Sequence, residues 1–134
     1  MKRELIENVV VLPYTSAGVI DRRGFLSGIF AASISGIEGS PTAAKLSIAV
    51  TECDTSNGTF TDVSDPRVIV DGVDEWDIDL TATTPALAVN VDLDFSGCKR
   101  YVKITATVTL TAGTNPTSTN AYAVVLGDSV EQPV

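Results

Sequence analysis

The sequence predicts an all-β fold: an antiparallel β-sandwich, jelly-roll-like, of about eight strands. Three observations predict it. Thr, Val, Ala and Asp dominate the chain; the branched side chains of Thr and Val suit a pleated surface, while helix-favouring Leu, Glu and Lys are sparse. Several segments alternate apolar and polar residues with period two, the mark of a strand with one buried face. Turn residues break these segments at intervals of roughly 8–12 residues, a sandwich or barrel spacing. No fixed-period repeat or long helical stripe competes. The 134 residues suit one domain and one core, with no metal or disulfide needed for folding.

The elements follow in order. Residues 1–20 read as an N-terminal arm or edge strand, because Leu5-Ile6 and Val9-Val10-Val11-Leu12 are strand-like and Pro13 blocks one pairing position. Residues 21–134 read as a single β-sandwich domain, entered by the turn Asp21-Arg22-Arg23-Gly24. A strand over 25–35 contains Gly28, which signals a bulge or a close backbone approach. In 44–51, Leu46, Ile48 and Val50 face inward. Asn57-Gly58 is a hairpin signal, with 59–63 as the return strand. A short apolar strand over 68–70 follows. Trp76, Ile78 and Leu80 point inward from the next. In 87–95, Leu87, Val89, Val91, Leu93 and Phe95 are inward. The strand over 99–110 turns Val102, Ile104, Ala106, Val108 and Leu110 in. A last strand covers 121–126. Clean alternation in four strands predicts two sheets, each with a wet and a dry face, packed dry to dry. An immunoglobulin-like sandwich is the second choice, although Cys98 sits in a Gly turn and not in mid-strand.

Composition excludes several functions. The net charge is −8 and the nine Lys and Arg are scattered, which argues against nucleic acid and against an anionic membrane surface. No His is present, so neither a serine-histidine triad nor a histidine metal site can form. Cys53 and Cys98 do not make a CxxC pair; they read as two thiols, with a disulfide as the other option. No segment is long and apolar enough for a membrane helix or a signal-peptide core, so the expectation is synthesis in a cytoplasm, with release by lysis.

Two acidic groups are candidates for chemistry. Asp71, Asp74, Glu75, Asp77 and Asp79 can in principle hold calcium, but their spacing is not that of a calcium loop, and Asp77 and Asp79 alternate with inward residues. They read as a solvated strand face. Asp92 and Asp94, with Asp77 and Asp79, are a poor glycosidase pair, because aromatic cleft walls are lacking. The expectation is no enzyme, no metal and no cofactor.

What remains is protein contact. Arg22 and Arg23 are candidates for docking on an acidic partner. Tyr101, Thr105 and Thr107 lie on an outer strand face that suits a flat interface. Leu5, Val9 and Val11 belong to an arm that can add to a neighbour's sheet edge.

A middle strand ending in Val50-Thr51-Glu52-Cys53-Asp54 is followed by the return Gly58-Thr59-Phe60-Thr61-Asp62-Val63 and an acidic alternating strand. Then come Ser96-Gly97-Cys98-Lys99-Arg100-Tyr101-Val102-Lys103-Ile104, a Thr-rich loop, and Ala121-Tyr122-Ala123-Val124-Val125-Leu126-Gly127-Asp128. Over roughly residues 25–130, this order of strands and turns resembles the capsid decoration (cement) proteins of tailed bacteriophages. The resemblance implies a virion protein on the outer capsid surface, with the major capsid protein and its own copies (a homodimer or homotrimer) as partners. The rivals are another virion part, such as a head-fibre base, neck or tail protein, and a carbohydrate-binding sandwich.

Overall fold

The alternating segments fold as strands whose inward positions are those the pattern marks. A computed structural model describes residues 8–80 and 86–129. Its strands are β1 (Val10–Tyr14), β2 (Val19–Asp21), β3 (Phe25–Glu38), β4 (Ala43–Cys53), β5 (Thr61–Asp62), β6 (Glu75–Ile78), β7 (Leu87–Asp94), β8 (Tyr101–Thr111) and β9 (Thr117–Ser129).

The pairing is nested. β1 pairs with β9, β2 with β8, β3 with β7, and β4 with both β5 and β6, all antiparallel. The chain is therefore one long hairpin, folded over so that β3 also meets β9 and β4 meets β8. The result is two sheets, β1-β9-β3-β7 and β2-β8-β4-β5, with β6 on the same edge of β4 as β5. Most connections cross from one sheet to the other. This is the jelly-roll arrangement, with one of its eight strand positions split between β5 and β6.

Between the sheets lies one core. Phe30, Phe95, Leu46, Ile34, Ile104, Val102 and Val124 have no exposed surface. Phe30 meets Tyr14 edge-on at 6.1 Å and stacks on Tyr122 at 5.6 Å, so one ring ties β1, β3 and β9 together. Leu46, Ile48, Val50, Val91, Leu93, Phe95, Val102, Ile104 and Ala106 are buried as the alternation requires. Trp76, Leu80, Leu87, Val89, Val108 and Leu110 are half-buried against that core.

Gly28 is a close approach and not a bulge. A Cβ there would stand 2.8 Å from a ring carbon of Phe95 and 2.9 Å from the Val125 carbonyl oxygen. The irregularity of β3 falls later, between Ser35 and Glu38.

Two expectations need correction. Residues 68–70 are not a strand: Pro66–Val68 is a single 3-10 turn. Asp65 caps it by accepting from the Arg67 N–H, and Pro66 presets its first φ. Ile69 then makes one bridge to Leu93, and the Val70 N–H donates to the Asp92 carbonyl, so the segment lies along the edge of β7. Asn57-Gly58 does not form a two-residue hairpin turn, since neither residue has the positive φ such a turn demands. A loop over 54–60 does the work, and only Thr61 and Asp62 pair. Residues 10–21 supply an edge strand to each sheet: Leu12 and Tyr14 pack on the core and Ile20 is buried within it.

Candidate interaction surface

The candidate residues fall in three separate places. The first is the corner between β2 and β3. Arg22 turns inward there: its Nε donates to the Lys99 carbonyl at 3.0 Å and its Nη2 to the Cys98 carbonyl. Arg22 is thus a clamp on the turn before β8. Arg23 is exposed, and its backbone N–H donates to Asp21 Oδ1. Arg100 holds Asp21 in a two-pronged ion pair at 2.8 and 3.0 Å, which keeps that carboxyl below its usual range.

The second place is the outer face of the β2-β8-β4 sheet. Tyr101, Thr105 and Thr107 do share it, spaced along β8 at alternate positions. Their neighbours across the ladder are Cys53, Ala49 and Ser47. Lys45 pairs with Glu75 at 3.0 Å, Lys103 lies 4.2 Å over the Phe60 ring, and Arg100 lies 4.9 Å over Tyr101. This face is polar, mixed in charge, and satisfied from within.

The third place is the outer face of the β1-β9-β3-β7 sheet, and it departs from the expected wet surface. Val11 stands opposite Val125, Val125 opposite Ile29, and Ile29 opposite Asp92. The next row is Pro13, Ala123, Ala31 and Asn90. Ser33 lies between Ala121 and Ala88 in the row after. Val11 is 63% exposed and Ile29 40%. The small side chains leave a shallow depression of about 400 Å³ lined by Ala31, Ser33, Ala88, Asn90, Ala121 and Ala123. No Lys or Arg occurs on any of the four strands. Acids lie at the margin, Asp92 and Asp94 on β7, with Asp128 near the end of β9. Val11 is the one expected contact residue on this face. Val9 is half-buried just before β1, and Leu5 lies outside the described residues.

Sequence reasoning missed Ile29, Ala31, Ala123 and Val125. The signal for them was present. β1, Ile29–Ala32 of β3 and Ala121–Leu126 of β9 are apolar runs without alternation, whereas β4, β7 and β8 alternate. A strand without alternation is one whose two faces both avoid water. The three such strands are neighbours in one sheet.

Elsewhere the polar groups do structural work. Glu52 is 3% exposed, on the inward side of β4, and accepts from the Lys99 N–H at 2.9 Å and the Ser64 N–H at 3.4 Å. The Tyr14 hydroxyl accepts from the Ile104 N–H at 2.9 Å and donates to the Gly18 carbonyl at 2.6 Å. The Ser16 hydroxyl bonds both backbone groups of Ala106. These two hydroxyls continue the pairing of β8 beyond the short β2. Both cysteines are free thiols. Burial pushes Cys98 up to about 11, while the Thr55 N–H lowers Cys53.

The acids do not converge. Asp92 and Asp94 lie on β7 and Asp77 on β6, in different sheets. Among the described residues, no group of three or more His, Cys, Asp or Glu is placed to hold a metal ion. Tyr14 and Tyr122 pack on Phe30, and Arg100 lies over the Tyr101 ring. No family model and no curated protein matches this chain.

Proposed function

We propose that this chain is a structural protein that binds the outer surface of a tailed-bacteriophage head and stabilises the capsid as a decoration protein. One observation carries the reading: a jelly roll presents a sheet face with an apolar centre and no Lys or Arg on any of its strands. An exposed apolar face of this extent marks a place where another protein sits. The strand-and-turn order that resembles the decoration proteins supplies the class of partner, the major capsid protein. Many copies, each burying a modest area across a junction between capsid subunits, would slow the opening of the shell. Localisation on the virion, assembly with its own copies and the absence of catalysis belong to the same proposal.

The test is co-sedimentation of the purified chain with heads of the virus that carries this gene, prepared without the protein. Saturable binding, with heads that release their DNA at a higher temperature, is the expected result. No binding at micromolar concentration would overturn the reading.

A further inference from the structure

We infer that the chain docks through the outer face of the β1-β9-β3-β7 sheet, onto a capsid-protein surface with an apolar centre and Lys or Arg along the side that meets β7. This rests on the function proposed above and names the face and the chemistry of the partner. The apolar centre follows from Val11, Ile29 and Val125, aligned in one row across three strands, with Pro13, Ala123 and Ala31 in the next. Such a row gains by leaving water only if the opposing surface is also apolar.

The basic flank follows from charge. Asp92 and Asp94 lie along the β7 margin with no cation on any strand of this sheet. Arg67, close enough to Asp94 to act on it, is itself held by Asp65. Approach of an acidic surface is therefore repelled, and a basic one is drawn in. The same argument disfavours a second copy as the occupant. Two chains of net charge −8 would meet across a face to which neither brings a cation.

Binding isotherms to purified heads test this, with the wild-type chain, Ile29→Lys, Asp92→Lys and, as control, Thr105→Glu combined with Thr107→Glu. Ile29 and Asp92 are exposed, so both variants should fold, which circular dichroism checks. The expected result is binding weakened about tenfold or more by each of the first two, as for loss of a central contact. The control should bind as the wild type, and wild-type binding should weaken with rising salt. Wild-type binding lost only in the control would overturn the inference and leave the proposed function standing. A wild type that fails to bind heads would overturn both. A dimer in sedimentation velocity that Ile29→Lys dissociates would overturn it too, by making a second copy the occupant.

Discussion

At the scale of single residues, the core side chains Glu52, Tyr14 and Ser16 are each held by backbone partners, whereas the buried Asn8 Oδ1 has none among the described residues. Glu52 is the sharpest case. Alternation along β4 puts it on the inward side with Leu46, Ile48 and Val50, where a carboxylate is costly unless hydrogen-bonded. It holds the Lys99 and Ser64 amides, and so ties β4 to the turn before β8 and to the loop after β5. Glu52→Ala should destabilise the protein by about 1–3 kcal/mol, the cost of leaving buried donors unpaired. A urea melt measures this, and an unchanged midpoint would show that water satisfies those amides. The cysteines make a second contrast. With its thiol pushed to about 11, Cys98 stays protonated and enclosed at pH 8, while Cys53 is more accessible and lowered. Maleimide at pH 8 should therefore label Cys53 in the native protein and Cys98 only after denaturation. Rapid labelling of both in the native protein would contradict the packing around Cys98.

At the scale of elements, legibility followed alternation. In β4, β7 and β8 the alternation marks the inward face, because each has one wet and one dry side; the inward residues are buried or half-buried, and the strand ends fall within two residues of those expected. β2 was not readable, since three residues cannot show a period. The turn over Pro66–Val68 looked like a strand because Val68, Ile69 and Val70 are branched; the Asp-Pro cap ahead of them decided otherwise. The apolar centre of the outer β1-β9-β3-β7 face was missed for a related reason. A run such as Ala121–Leu126 says that both sides are apolar, but not which strands will lie beside it. Only the pairing places β1, β9 and β3 together. Gly28 marks the tightest point of this sheet, its backbone against Phe95 and the Val125 carbonyl. Gly28→Ala should cost about 1–3 kcal/mol as an overpacking change, visible as a lower midpoint in thermal unfolding; an unaltered midpoint would mean that β3 and β7 can part to admit a methyl.

At the scale of the whole molecule, the nested pairing makes nearly every contact between strands non-local, apart from the short pair between β4 and β5. Folding on the millisecond-to-second scale is the expectation for such a topology. Exposed charge adds a pH dependence. Asp21, Asp65 and Asp94 all have lowered carboxyl pKa values, through Arg100, through the backbone and side chain of Arg67, and through Ser96. A lowered folded-state value means stability that is present above the unfolded value, about 3.9 for Asp, and is lost as pH falls through the folded value. The thermal midpoint should therefore drop between pH 5 and pH 3, and Asp21→Asn should shrink that drop. A midpoint that rises over this range would mean that relief of the −8 net charge outweighs the three partnered carboxylates.

The two outer faces of the sandwich differ, one polar with charges of both signs, the other apolar at its centre with no Lys or Arg on its strands. The account stands on that difference. A photo-cross-linking residue placed at Ile29 or at Thr107, with the chain bound to purified heads and irradiated, compares the faces directly. The account predicts a covalent adduct with the capsid protein from position 29 and little from position 107. An adduct from position 107 with none from position 29 would contradict it.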